Sequence, residues 1–207
     1  MNRGWRLFIA LPVPASAIAA LDGRLAGLRA RTPAVHWVPR QLIHLTLRFL
    51  GEQPAACVPD VVAALDAVSA AGEPFDVALS GGGAFGRGSA GGRICWVGLD
   101  GQGDRAVARL ASAVEVGLAP LALGGPDRRD GPLRVHLTVA RRAGPDLPGA
   151  VAAALADGPA IGWQVDRLGL YRSHLEVPVA RHEPLWTGWL GPGLPGSGGP
   201  IEDRPAR

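Results

Sequence analysis

The chain of 207 residues is long enough for one domain, or for two small lobes that share a core. Its 47% apolar and 19% charged residues exclude a collagen-like chain, a wholly disordered one and a disulfide-stapled mini-protein. The 21 basic residues are all Arg against 18 acids, a net charge of +3; Arg forks onto phosphate and so admits an anionic partner, although a GC-rich genome also replaces Lys by Arg without functional reason.

Residues 5–11 (WRLFIAL) form a short apolar run rich in β-formers and closed by Pro12 and Pro14, the pattern of a buried strand. The apolar run 7–13 is far short of a membrane span, and Arg3 and Arg6 precede no long apolar signal region, so a cytoplasmic protein without membrane contact is expected. Residues 16–31 place Ile18, Leu21, Leu25 and Leu28 on one helical face, with Pro33 just beyond. Strands are expected at 35–38 and 42–50, the second ending at Gly51, and a helix at 58–71 that Gly72 ends. Cys57 and Cys95 have no CxxC and no metal-ligand spacing, and read as small buried apolar residues.

The rhythm then repeats. Strands at 75–79 and 93–99 flank a glycine-rich connection at 81–92, and a helix is expected at 107–118. Further strands are expected at 133–141, 161–171, 175–179 and 185–190, with a short helix at 147–156. The glycine-rich connection lacks both GxxxxGK[ST] and a GxGxxG opening a helix, so it reads as a hairpin connection rather than a phosphate loop. One domain over 1–190 and a Gly/Pro-rich mobile tail over 191–207 follow.

One constellation departs from chance. With five His and four Thr, random placement would give about 0.1 H-x-T triplets, yet the chain holds two, His44-Leu45-Thr46-Leu47 and His136-Leu137-Thr138-Val139. Residues two apart on a strand share a face, so each His and its Thr are displayed together while the apolar residues between them pack inward. Imidazole has the unperturbed pKa nearest neutrality, so two of them facing one substrate can hold opposite protonation states, one accepting a proton while the other donates. That suits displacement at phosphorus: one His deprotonates water, the other protonates a departing ribose oxygen, and the Thr hydroxyls hold the nonbridging oxygens. Two His and two Thr could be read as a zinc site, but Thr is a poor zinc ligand and no third His or Cys has suitable spacing, so neither metal nor cofactor is expected.

These motifs resemble those of the LigT-like 2'-5' RNA ligases, also called RNA 2',3'-cyclic phosphodiesterases, of the two-histidine phosphoesterase superfamily. The likeness covers roughly residues 5–190 and rests on RLFIAL from Arg6, on WVP from Trp37 leading into HLTLRFLG from His44, on Gly83 and Phe85 before WVG from Trp96, on HLTVAR from His136 and on LYRS from Leu170. It implies a bilobal α+β fold, two antiparallel sheets related by a pseudo-twofold axis that line a central cleft, with helices outside. The implied activity is hydrolysis of a terminal RNA 2',3'-cyclic phosphate to a 2'-phosphomonoester, with 2'-5' ligation as its reverse. His44 would then be the proton donor and His136 the acceptor, roles that the near-equivalent motifs do not themselves assign. Val139 departs from the commoner Leu, and the glycine-rich connection is unusual.

Arg141 follows His136 by five and reaches the phosphate only if a bulge or strand end intervenes, which the resemblance favours. Arg48, four after His44, has the right parity. Phe85 is the candidate for stacking on a base, Tyr171 a weaker one, while Trp96 in its apolar run reads as core. His36, His174 and His182 lack a Thr partner and read as surface or structural residues. The expected partners are RNA ends or small nucleotides carrying a 2',3'-cyclic phosphate, met by a monomer. The rival readings are a superfamily phosphodiesterase acting on another cyclic phosphate, and a noncatalytic RNA-binding module, which would need donors but no acid and base pair.

Overall fold

The computed structural model describes residues 4–86, 93–123, 134–175 and 180–192. Strand β1 (Trp5–Pro12) is apolar on both faces: Leu7, Ile9 and Leu11 enter the main core, while Phe8 and Ala10 join Tyr171 in a second cluster on the opposite side. Such a strand belongs in the middle of a sheet. It pairs antiparallel with β3 (His44–Gln53) on one edge and β8 (Arg167–His174) on the other.

The remaining strands are β2 (His36–Trp37), β4 (Phe75–Phe85), β5 (Arg93–Leu99), β6 (Leu137–Ala143), β7 (Gly162–Val165) and β9 (Arg181–Trp189). The spatial order is β7-β4-β5-β6-β3-β1-β8-β9, with β2 on β6. Two antiparallel halves, β6-β5-β4-β7 and β3-β1-β8-β9, meet where β3 and β6 share the pair Leu45 and Leu137. The two expected sheets are thus the halves of one curled antiparallel sheet, and each half brings its H-x-T segment to the joint.

Helices α1 (Ala15–Arg31), α2 (Val58–Ala71), α3 (Gly101–Leu118) and α4 (Leu147–Ala156) complete the fold. In α1, Leu21, Leu25 and Leu28 are buried as expected, and Ala17 lies deeper than the partly buried Ile18. Helix α2 begins with Pro59 in its first turn, buries Val61 and Leu65, and stops at Gly72. Helix α3 starts six residues before the expected position because Asp100 caps it, its carboxylate accepting from the Gly103 amide at 2.8 Å. Fully buried leucines such as Leu7, Leu25, Leu45 and Leu65 each contribute about 1.5–3 kcal/mol to holding helices against sheet.

Four further expected boundaries move. Strand β3 continues through Gly51, whose φ of +71° lies beside a register shift opposite Leu7 and Phe8, so this glycine makes a bulge rather than an end. The run 161–171 divides at Asp166: β7 pairs with β4 and β8 with β1, far apart in the strand order. Strand β7 buries only Val165 whereas β8 is buried over 167–171, and an apolar pattern carries no information about the pairing partner. Strand β6 starts at Leu137, leaving His136 just before it, while β4 runs on to Phe85. Residues 87–92, Leu133, 176–179 and 193–207, on which the glycine-rich connection, a strand start, another strand and the tail were expected, lie wholly outside the described residues. Among the described residues no helix is long and apolar enough to cross a membrane.

Candidate active site

The joint between the halves opens into a cavity of about 510 Å³. His44, Thr46, His136, Thr138 and Arg141 all line it, so the structure brings together five of the six expected site residues. In β3 the alternation holds over the motif, with Leu45 and Leu47 in the core and His44 and Thr46 facing the cleft. In the second motif Leu137 and Val139 are buried and Thr138 faces the cleft.

Beyond each motif the alternation breaks. Strand β6 pairs Trp96 with Thr138 and Cys95 with Ala140, so Val139 is extra; Val139 and Ala140 both pack into the core, and the next residue, Arg141, returns to the cleft. A bulge therefore places Arg141 where regular parity would not. Strand β3 carries the counterpart: Ala10 pairs with Thr46 and Ile9 with Arg48, so Leu47 is extra. Arg48 consequently leaves the cleft face and pairs with Glu115 of α3 at 2.6 Å, and Phe49 takes the cleft position five after His44. The expected parity of Arg48 is corrected by this bulge.

The two imidazoles are held alike. His44 Nδ1 donates to the Leu42 carbonyl at 2.8 Å, and His136 Nδ1 donates to the Arg134 carbonyl at 2.7 Å. A carbonyl only accepts, so each neutral ring carries its proton on Nδ1 and keeps Nε2 as the proton-exchanging nitrogen.

Their surroundings differ. The His44 bond is partly buried and that of His136 is exposed. The His44 ring lies 5.0 Å from Phe8, which is 2% exposed and also stacks on Tyr171 at 5.2 Å. Burial, then the charge of His182, then those of His136 and Arg141 bring the His44 pKa down to about 4, although its backbone hydrogen bond works the other way. His136 rests edge-on against Phe85 at 4.7 Å, with Trp96 at 6.3 Å. Trp96 is half-buried beside His136, and its ring crosses Gly83 so closely that a Cβ there would lie 2.3 Å from it.

Phe85 supports His136 and does not line the cavity; Tyr171 is buried beneath Phe8. His174 accords with a structural role, bonding Glu183 at 2.6 Å. His36, opposite Arg141 on β2, is exposed as expected of a surface residue and also borders the cavity, and His182 on β9 lines it too, a place that the sequence reading did not give them. Only strand order reveals them, because neither has a local motif.

The sequence model of the 2'-5' RNA ligase superfamily matches residues 14–176. The chain belongs to that superfamily. An RNA 2',3'-cyclic phosphodiesterase of Thermus thermophilus is 32% identical over 178 residues, 83% of each chain. Another, from Geobacillus stearothermophilus, is 34% identical over 172 residues; these are 82% of this chain and 52% of that protein, so the chain spans about half the length of this relative. The crystal structure of a Thermus thermophilus protein superposes with a TM-score of 0.70 at 26% identity, covering 89% of this chain and 97% of the other. Apo LigT of E. coli has the same fold, with a TM-score of 0.66 at 24% identity over 92% of this chain and 99% of its own. The superfamily fold thus extends over most of the chain, including the paired strands at the joint.

Proposed function

We propose that this chain is an RNA 2',3'-cyclic phosphodiesterase that opens a terminal 2',3'-cyclic phosphate to a 2'-phosphomonoester, with 2'-5' ligation as the reverse reaction. The observation that carries this reading is the meeting of two H-x-T segments at one cavity, each His committed through Nδ1 to a carbonyl so that Nε2 exchanges protons. The names of the relatives from Thermus and Geobacillus support the substrate class.

His136, on the exposed side, is the acceptor: its Nε2 takes a proton from water as the water oxygen bonds to phosphorus. His44, on the walled side near Phe8 and in the cavity that Phe49 also lines, is the donor; its Nε2 protonates the ribose 3'-oxygen as the bond from phosphorus to that oxygen breaks. His44 is neutral in the empty cleft at pH 7, and the arriving anion offsets Arg141 and His182, loading the donor. Thr46, Thr138 and Arg141 hold the nonbridging oxygens, where the developing charge sits. Phe85 braces His136 in this scheme rather than a base. None of these steps calls on a metal or cofactor. The enzyme acts as a monomer in the cytoplasm, in keeping with its two free cysteines.

The test is turnover of an oligonucleotide ending in a 2',3'-cyclic phosphate, and of free 2',3'-cyclic mononucleotides, by purified protein in EDTA, with the product isomer read by phosphorus NMR. Formation of the 2'-phosphate is expected. Tight binding without turnover would favour the RNA-binding module, and turnover only after zinc or magnesium is restored would refute the two-histidine mechanism.

A further inference from the structure

The cavity holds more imidazole than the proposed mechanism consumes. His182 on β9 reaches it because β9 pairs with β8 and β8 with β1, and its strand partner Ser173 lines the same wall. Its ring stands edge-on to His44 at 5.0 Å and to Phe8 at 4.8 Å. Both contacts are with rings, and neither ring nitrogen has a hydrogen-bond partner among the described residues.

The charges around it fix what such a ring can bind. His44 faces it from β3 and Arg141 from β6, and Arg6, His36 and His136 lie along the same cavity. The neighbouring acid, Glu183, belongs to the opposite face of β9, bonded to His174 and near Arg172. Among the described residues lining the cavity there is no Asp or Glu. A half-buried imidazole N–H in a cleft of cations and hydroxyls therefore lacks a charged acceptor within the protein, and an anion in the cleft supplies one.

We propose that His182 is a third substrate-contacting imidazole, donating a hydrogen bond from its ring to the phosphate seated between His44 and His136, on the His44 side. This assignment rests on the cyclic-phosphodiesterase reading for its substrate, but not for its anion. It also gives the pseudo-twofold cleft a direction, because the His44 half holds a second imidazole where the His136 half holds Phe85 and Trp96. The cyclic substrate carries one negative charge and the opened product up to two, so a donor here grips the product end of the reaction most strongly. Burial, then Arg141, lower the His182 pKa from its ordinary imidazole value, and an anion beside the ring works the other way.

The experiment measures sulfate, an anion of fixed charge from pH 5 to 8, binding to the intact protein by calorimetry, alongside KM and kcat for a cyclic mononucleotide. His182→Phe keeps the ring contacts and removes the donor; His182→Gln keeps a donor. For the Phe variant, sulfate affinity should fall about tenfold and KM rise by a similar factor, the size of one charge-assisted hydrogen bond, with the larger share recovered by Gln. Equal sulfate affinity in wild type and His182→Phe would overturn the assignment and leave His182 a packing ring. Should the Phe variant fail to fold, histidine NMR of the wild type decides: a rise in the His182 pKa on adding sulfate supports the contact, and an unmoved titration refutes it. If wild type turns over no cyclic phosphate while sulfate binding still depends on His182, the enzymatic reading falls and the anion contact stands.

Discussion

Replacing His44 by Gln should make the protein less sensitive to acid. Folding lowers the His44 pKa from 6.5 to about 4, so between those values the unfolded chain binds a proton that the folded chain refuses. Stability from this group is therefore complete above about pH 6.5, and is lost as pH falls through the window toward 4. The full shift corresponds to about 3 kcal/mol at 1.36 kcal/mol per unit. The ring faces an open cleft, so screening trims this to about 1 to 3 kcal/mol. Urea unfolding followed by tryptophan fluorescence at pH 7, 6, 5 and 4 measures it directly. Wild type should lose more stability over that range than His44→Gln by the stated amount, while the acid response of groups remote from His44 is common to both. Parallel curves for the two proteins would refute the account of His44 as a neutral group buried against Phe8 and two neighbouring imidazoles.

Single changes His44→Ala and His136→Ala should each cost about 100- to 10,000-fold in turnover, and Thr46→Ala or Thr138→Ala less, in folded protein checked by circular dichroism. The double change His44→Ala/His136→Ala should cost far less than the product of the two, since the pair acts in one displacement; multiplicative losses would favour two independent phosphate grips. The acid limb of the kcat/KM profile should lie well below 6.5, and Arg141→Gln should move it upward by removing a positive neighbour of His44; an unmoved limb would count against that coupling. Gly83→Ala drives a methyl into the Trp96 ring, so it should cost about 1 to 3 kcal/mol in chemical denaturation and lower kcat by disturbing the support of His136.

What the sequence showed depended on distance along the chain. Helices α2 and α4 were readable to the residue because their apolar faces and flanking turn residues are local. The two His and two Thr were readable because only one residue separates each His from its Thr, too few for a bulge to intervene. Four residues on in β3 and five on in β6, the same parity rule fails: it sends Arg48 to the cleft and Arg141 away, and the bulges at Leu47 and Val139 reverse both. Bulges answer to sheet twist and to the fit between partner strands, which no single strand encodes. His182 was unreadable for a related reason, because its approach to His44 passes through two further strands, β8 and β1.

The strand order also bears on how the chain is made. The half that carries His136 is one uninterrupted stretch, β4 to β7, whereas the half that carries His44 is assembled from both ends of the chain. During synthesis from the N-terminus, β1 and β3 emerge early, and the other edge of β1 has no β8 until residue 167 has been made. For most of translation that edge is a row of open backbone groups on a strand apolar on both faces, the kind of surface that recruits a second chain. The nascent protein should therefore be most vulnerable to aggregation before β8 is complete, and truncations that stop short of residue 174 should precipitate even with every catalytic residue in place.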